Sequence, residues 1–491
     1  MRSIPNVLDG LKPSQRKVLF SCIKRNLKNE LKVAQLAGYV SEHSAYHHGE
    51  MSLTMTIVNM AQNYMGSNNI NLLFPAGQFG TRLKGGKDHA SARYIFTRLN
   101  AVTGAMFMTD DNPLLTYMED DGDKIEPVYY GPTAPLLLIN GSSGIGTGYS
   151  TDVPCYNPTE VFGFLKDYLQ SKMTSGVEHS SNTFLQDNAD RIWVPYYHGF
   201  RGAIVQTTSP KHFMYKGVYE KTADDTIHVS ELPIGTWTSD FKDHMETLES
   251  DGIIKTYTSM SNDTIISFSI TFPSAAALDK LETTEVKNKP ECNELEHVLK
   301  LYANITTTNM VAYDKNNELQ YYTVAKIFEE FIPVREELYV RRKANIVALL
   351  KQQLVKLSNQ AKFIKELYAD LVDLRKKTPA QVTEMLTERG YDLVDGGFNY
   401  LTKMNMDAVT EEHGQAILDK CEQKKAELAL VEKTSCDQMW MTDLIELERV
   451  YAEYVVERDA ASASTVSDAK TKTKTKAKVK RTGTVAKAIK K

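Results

Sequence analysis

The densest supply of chemically useful groups lies at the start of the chain. Arg2, Lys12, Arg16, Lys17, Lys24, Arg25, Lys28 and Lys32 place eight basic residues in the first 32, against only Asp9 and Glu30. A merely solvated helix face usually interleaves acids with bases, so this imbalance points to a surface that meets phosphate. Lys24, Lys28 and Lys32 repeat at every fourth position, which makes a ridge of cations if one helix carries all three. Glu42, His43, His47, His48 and Glu50 form the one constellation that resembles a metal site, and His43 and His47 share a face if a helix continues through both. The HExxH pattern is missing, and Gly49 beside the paired histidines suggests a tight helix start where imidazoles reach phosphate instead. No metal is assigned.

Three further stretches imitate ligand loops. Gly85-Gly86-Lys87-Asp88 has no Ser or Thr after its lysine and no glycine at the Walker spacing, so it is not a P-loop. Gly144-Ile145-Gly146-Thr147-Gly148 is GxGxG rather than the dinucleotide GxGxxG. Glu119-Asp120-Asp121-Gly122-Asp123 offers oxygens to a divalent ion but reads as an exposed acidic turn. Tyr94, in Ala92-Arg93-Tyr94-Ile95-Phe96-Thr97, reads by itself as a packed strand aromatic far more readily than as a nucleophile.

The elements that must position these groups change character along the chain. Up to about residue 155, short helical patterns (Pro13 to Leu27, Val33 to Val40, Glu50 to Tyr64) alternate with Gly-rich loops and apolar strands such as Leu136-Leu137-Leu138-Ile139. Helices followed by the strand from Tyr94 to Thr97 suggest a winged variant of helix-turn-helix. Residues 156–330 are a second α+β unit, with strands expected at Ala203 to Gln206, Thr226 to Leu232 and Thr264 to Phe272, and no chemistry of its own. After Pro333, apolar residues at Ile346, Leu350, Leu354, Leu357, Ala361, Ile364, Tyr368 and Leu371 step by three and four, the spacing of a coiled-coil seam or of an ordinary helical core. Thr378-Pro379 ends that run, a small tip is expected at about 378–411, and a second helical stretch returns from Glu411 to Glu457. The fold class is therefore α+β with a long antiparallel helical pair over 331–457.

Composition bounds the rest. The chain has 491 residues, too many for one ordinary core. Hydrophobic residues are 42% and charged residues 24%, values of an ordinary globular protein. No apolar run approaches the roughly 20 residues that cross a bilayer, and Met1-Arg2-Ser3 does not open a signal sequence, so an intracellular protein is expected. Cys22, Cys155, Cys292, Cys421 and Cys436 contain no CxxC pair and define neither a zinc site nor a disulfide framework. The net charge of −4 hides a local excess: ten Lys or Arg and no acid stand between Ala469 and Lys491. Residues 458–491 read as a disordered basic tail, either a nonspecific nucleic-acid arm or a nuclear address.

In this order the pieces resemble the breakage-reunion region of eukaryotic-type topoisomerase II, and more distantly gyrase A. The resemblance rests on Arg2-Ser3-Ile4-Pro5, Asp9-Gly10-Leu11-Lys12-Pro13-Ser14-Gln15-Arg16-Lys17-Val18-Leu19, Glu30-Leu31-Lys32-Val33-Ala34-Gln35-Leu36, Tyr46-His47-His48-Gly49-Glu50, Gly77-Gln78-Phe79-Gly80-Thr81-Arg82, Gly85-Gly86-Lys87-Asp88, Ala92 to Thr97, and Asn140-Gly141 with Gly144 to Gly148. Weaker similarity continues through Asn309-Met310-Val311-Ala312-Tyr313 and Trp440-Met441-Thr442-Asp443-Leu444. Tyr149 stands where many relatives have tryptophan.

The resemblance implies a winged-helix domain over 1–155, a tower domain over 156–330, and a coiled coil with a C-gate tip over 331–457. It implies that Tyr94 attacks a DNA phosphodiester, leaving a 5′-phosphotyrosyl bond and a free 3′-hydroxyl. Arg93 matches the adjacent arginine, Arg2, Lys12, Arg16 and His48 match groups around the scissile phosphate, and Ile145 matches a residue that wedges between base pairs. His47, Lys17, Lys24, Arg25, Lys28, Lys32 and Lys87 are expected on the DNA-binding surface. A phenol with a pKa near 10 is a weak nucleophile at neutral pH, so it needs such cations to stabilise charge on the phenolate and the phosphorane. On a regular strand neighbours face opposite ways, so Arg93 can serve the phosphate of Tyr94 only if the strand starts irregularly there. The chain contains neither the Glu-Gly-Asp-Ser nor the Asp-x-Asp-x-Asp signature of a TOPRIM module, and the acidic turn at Glu119 follows the tyrosine. Mg²⁺ and ATP are accordingly expected to be held by TOPRIM and ATPase modules outside this chain. A homodimer on double-stranded DNA, in the nucleus if the source is a eukaryotic cell, completes the expectation. The alternative is a noncatalytic DNA-bending protein with the same winged helix, wedge and coiled coil.

Overall fold

The computed structural model describes residues 2–175, 181–287, 289–369, 371–374, 377–394, 396–404 and 411–461. The Lys-rich stretch from Ala469 and part of the expected tip, 405–410, lie outside them. The chain divides into two compact units, Met1–Arg335 with Met441–Lys491, and Glu336–Trp440.

The first unit begins with three helices and a small sheet. Helix α1 (Pro13–Lys24) starts where Pro13 presets the backbone and Gln15 accepts the Lys12 amide at 2.9 Å. It ends because Asn26 takes φ 51° and Leu27 turns into the core at 5% exposure. Lys24, Lys28 and Lys32 therefore do not share a helix: Lys28 is in the following loop and Lys32 is in strand β1 (Leu31–Lys32). The expected cation ridge is corrected to three separately exposed lysines. Helix α2 (Val33–His43) stops at Ser44, so His43 and His47 share no helical face. Helix α3 (Glu50–Ala61) follows Gly49, whose φ of 87° makes the expected tight start. Strands β2 (Leu73–Ala76) and β3 (Phe96–Leu99) complete a three-stranded antiparallel sheet in the order β1-β3-β2. Three helices, this sheet and a long loop between its last two strands make a winged helix.

Helix α4 (Ala101–Met106) leads to the hairpin of β4 (Tyr117–Asp120) and β5 (Asp123–Pro127), whose tip residues Asp121 and Gly122 both have positive φ. The acidic segment is thus an exposed two-residue turn. Leu136-Leu137-Leu138-Ile139 is not a strand but the buried helix α5 (Leu136–Asn140). A short apolar run carries no period that separates the two, and here burial on every side favours the helix. Strands β6 (Ser142–Ile145) and β7 (Ser150–Val153) form a hairpin with Ile145 at its end. Helices α6 (Pro158–Ser175) and α7 (Ser181–Asp187) follow.

The middle region carries β8 (Ala203–Gln206), β9 (His212–Lys216), β10 (Val218–Ala223), β11 (Thr226–Glu231), helix α8 (Thr238–Ser250), β12 (Thr256–Ser259), β13 (Phe268–Thr271), α9 (Ala275–Thr283), β14 (Glu285–Val286), β15 (Lys289–Asn293), α10 (Glu294–Val298) and β16 (Tyr302–Thr306). Its four-stranded sheet, β10-β11-β13-β12, buries Val229, Phe268 and Ile270 against Phe241, Leu295 and Leu299, so this region has a core of its own. The hairpin β17 (Val311–Tyr313) and β18 (Leu319–Tyr321) returns beside the N-terminal segment.

Helix α11 (Val324–Tyr368) begins before Pro333 and passes through it, so the proline does not mark the boundary expected of it. In the second unit α12 (Pro379–Glu388) and α13 (Asn399–Thr402) make a small tip, its core built from Phe363, Leu386, Tyr391, Phe398 and Leu401. Helix α14 (Glu411–Lys433) runs antiparallel to α11: Lys343 bonds the carbonyls of Glu432 and Thr434, while Gly414 lies beside Ile364. Seam residues Ile346, Leu350, Leu354, Leu357, Ala361 and Ile364 are wholly or partly buried, but Tyr368 and Leu371 are exposed. The helix breaks at Thr434–Ser435 and continues over 436–461. Arg458, placed by the sequence in a tail, is buried in this last helix and bonds the carbonyls of Asn63, Asn68 and Asn69. Among the described residues no helix is long and apolar enough to cross a membrane.

Candidate nucleic-acid interface and nucleophile

The loop between β2 and β3, residues 77–95, is held by contacts that leave it little freedom. Gln62 donates to the carbonyls of Phe79 and Gly86 at 2.9 and 3.2 Å. Asp88 accepts the amide and hydroxyl of Thr81 at 2.9 and 2.5 Å, so its carboxylate serves the loop. Gly80 has φ +100°, and a Cβ there would come 2.5 Å from Gly86 backbone. The loop closes on a turn in which the Tyr94 amide donates to Ser91 at 2.9 Å, and the first amides of α2, Val33 and Ala34, donate to Ile95 and Ala92.

That turn decides how Tyr94 is presented. Ile95 is buried at 1% exposure and anchors the segment, while Tyr94 stands 67% exposed just ahead of β3. Because Arg93 and Tyr94 precede the strand rather than lie on it, they do not face opposite ways. The Arg93 guanidinium sits 5.2 Å from the Tyr94 ring centroid. A phenol in water with a guanidinium at its face can approach a phosphodiester with the counter-charge already in place. Lys32, in register with Phe96 on β3, has its ammonium 5.9 Å from the Phe96 ring.

A second cluster forms around α3. Arg2, Lys12 and Ile145 line an open groove of about 800 Å³ with Ser52, Thr56 and Asn59. The Lys12 ammonium donates to the Ser143 carbonyl at 2.7 Å, and burial pulls its pKa below the usual lysine range. Gly144 backs onto the N-terminal segment so closely that a Cβ would lie 2.0 Å from the Ser3 carbonyl oxygen. The neighbouring Ile145 side chain is thereby thrust outward, 85% exposed. Arg2 reaches within 3.5 Å of the Ser52 hydroxyl, which also receives the Tyr46 hydroxyl at 3.2 Å, and the Tyr46 ring meets His48 edge-on at 5.5 Å. Gly49 has no side chain to cap the leading amides of α3, where the positive end of the helix dipole lies. Arg2, Lys12 and Ile145 thus line one groove, and His48 is linked to Arg2 only through Tyr46 and Ser52. The groove's lining does not include Tyr94 or Arg93.

Other expected residues take different places. Arg16 is buried at 6% exposure, ion-paired with Asp9 at 2.7 Å, and presents no free charge at the surface. Lys17 is paired with Glu126 at 2.8 Å, where the base of the acidic hairpin meets α1. His47 points toward Asp120 at 3.7 Å. Lys24, Arg25, Lys28, Lys32 and Lys87 are exposed, and Arg25 lies 4.8 Å above the Tyr39 ring. Ser52, Thr56 and Asn59 escaped the sequence reading. Their spacing of four and three along α3 marks a polar stripe that could have signalled the groove. Among the described residues no three His, Cys, Asp or Glu side chains come together to hold a metal ion.

The chain as a whole is similar to known proteins. Residues 2–445 match the family model of the A subunit of DNA gyrase/topoisomerase IV. The chain belongs to this family. It is 37% identical over 486 residues to DNA topoisomerase 2 of Plasmodium falciparum, covering 91% of this chain and 33% of that protein. DNA topoisomerase 2 of Bombyx mori is 38% identical, with 90% of this chain and 31% of that protein aligned. The solved Plasmodium falciparum topoisomerase II DNA-binding, cleavage and re-ligation domain superposes with a TM-score of 0.83 at 37% identity, covering 94% of this chain and 63% of that one. The chain spans about a third of the length of these two full-length relatives. Membership in the gyrase A/topoisomerase IV family and likeness to eukaryotic topoisomerase 2 bear out the resemblance carried by the motifs, and the α+β class with it.

Proposed function

We propose that this chain is the DNA breakage-reunion part of a type IIA topoisomerase, with Tyr94 as its nucleophile. The observation that carries the proposal is the Tyr94 phenol, two-thirds exposed on the wing turn with the Arg93 guanidinium against its ring. The phenolic oxygen attacks phosphorus, the bond to the 3′ oxygen breaks, and a 5′-phosphotyrosyl ester and a 3′-hydroxyl result. The phenol proton leaves to water and the departing 3′ oxygen takes one up. Arg93 balances charge at the reacting phosphate. Arg2, Lys12 and His48 hold the backbone nearby, and Ile145 enters a base step to bend the duplex. Lys24, Arg25, Lys28, Lys32 and Lys87 add phosphate contacts.

Two chains act together on one duplex, each cutting a strand, while a second duplex passes through the break. Pairing involves the winged-helix region of 1–155 and a C-gate within 331–457, where Leu371 and Leu393 are exposed apolar residues. Residues 156–330 serve as the tower. Mg²⁺ and ATP are brought by TOPRIM and ATPase modules outside this chain, and the nucleus is its site of action in a eukaryotic cell.

The deciding assay mixes the chain with a TOPRIM-bearing partner, Mg²⁺ and end-labelled duplex, and traps with detergent. Wild type yields protein-linked DNA and Tyr94→Phe yields none. Duplex binding and bending without any adduct from wild type would assign the chain to noncatalytic DNA bending.

A further inference from the structure

The segment Asn309 to Tyr313 stands between two parts of the site and bonds to both. On one side it pairs in parallel with the N-terminal segment that carries Arg2: the Val7 amide donates to Tyr313 at 2.8 Å, the Tyr313 amide donates to Pro5 at 2.9 Å, and Asn6 donates to the Asp314 carbonyl at 3.1 Å. On the other side it meets β7. The Thr151 hydroxyl donates to the Val311 carbonyl at 2.6 Å and accepts the Val311 amide at 3.2 Å. The Asp152 amide donates to Asn309, and the Asn309 side chain donates to the Ser150 hydroxyl at 3.0 Å. Strand β7 in turn is paired with the strand that ends in Ile145, Ile145 opposite Ser150.

One short strand therefore sets the cation at residue 2 and the apolar wedge at residue 145 against a common support. Thr151 and Val311 are 2% exposed and Ala312 is fully buried, so water cannot replace a lost bond between them. A buried hydroxyl that both donates to and accepts from one residue fixes two backbone groups at once, and it joins β7 to this strand from within the core.

We propose that Thr151 is a positioning residue: through Val311 it locks the Ile145 hairpin to the Arg2 segment, so that wedge and cation move as one body. Its consequence for DNA rests on the function proposed above, but the mechanical coupling does not.

Two measurements separate these. In hydrogen exchange on the full chain without DNA, Thr151→Val loses protection about tenfold, the equivalent of one net hydrogen bond, at Val7 and Tyr313 as well as at the amides of β6 and β7. Thr151→Ser, which keeps the hydroxyl, exchanges like wild type. Loosening confined to β6 and β7 would overturn the coupling. In the second, a duplex labelled at both ends reports bending by energy transfer at saturating protein. Thr151→Val and Ile145→Ala each reduce the bend, and the double variant bends no less than Ile145→Ala alone, because the threonine acts through the wedge. Duplex affinity of Thr151→Val at low salt, governed by phosphate contacts, changes less than about threefold. Fully additive losses, or a wild-type bend in Thr151→Val, would remove Thr151 from wedge positioning. A wild-type chain that binds no duplex would sink the functional proposal while the exchange experiment still decides the coupling.

Discussion

The Arg16 guanidinium meets the Asp9 carboxylate through two hydrogen bonds, Nε to Oδ2 at 2.7 Å and Nη2 to Oδ1 at 3.0 Å. Asp9 also accepts the amides of Leu11 and Tyr130, so this pair ties α1 to the segment before it and to residue 130. Removing one partner leaves a buried charge without its counter-ion, at a cost of roughly 3–5 kcal/mol. Arg16→Met and Asp9→Asn are each expected to lower the chemical unfolding midpoint strongly. An Arg16→Met chain that unfolds like wild type but grips DNA phosphates less well would return Arg16 to the DNA surface.

The same distinction separates Lys17 from its exposed neighbours. Lys17 is spent on Glu126, whereas Lys24, Lys28 and Lys32 are exposed to solvent. Removing one lysine that neutralises a phosphate flattens the slope of log affinity against log salt by about 0.9. Lys32→Ala should flatten that slope by one such step, and deletion after Asp468 by several, while Lys17→Ala lowers stability with the slope unchanged. Titrations of duplex binding across salt concentrations measure this directly.

Gly80 offers a test of how far the wing turn governs Tyr94, the proposed nucleophile. Its φ of +100° and the 2.5 Å approach to Gly86 backbone leave no room for a methyl group. Gly80→Ala should displace the loop that ends in Tyr94 and cut adduct formation on the order of a hundredfold, since misplacement by about an ångström has that effect. The rate of adduct formation at saturating DNA reads it. Unchanged cleavage would mean that the loop does not orient the phenol.

His198 predicts a pH response. Its ring bonds Asp459 at 2.8 Å, yet burial, with Arg458 nearby, holds its pKa below the usual 6.5. Asp459 is mostly exposed, so water screens the attraction that would have raised it. A depressed histidine pKa favours the neutral ring in the folded state. Stability is therefore full above about pH 6.5 and falls as pH drops through the lower folded value. His198→Gln should flatten that acid-side decline in thermal melts. A decline of the same steepness in the variant would place its origin elsewhere.

Sequence alone determined a good deal here. The motif order identified the family. Pro13 and Gly49 mark where helices start, because such signals act within a few residues, whereas the stop at Asn26 appeared only in the structure. The acidic turn was legible for the same reason, its Asp-Gly tip being local chemistry. Only tertiary structure decided that Arg16 and Lys17 serve Asp9 and Glu126, the latter 109 residues away in sequence. Tertiary structure also decided that Leu136 to Asn140 is a helix and that Arg93 shares a side with Tyr94. A cation shows its charge in the sequence, but whether it is spent inside or offered to DNA depends on which acid the fold brings into hydrogen-bonding range. That choice is made by the packing of segments far apart in the chain, and periodicity carries no information about it.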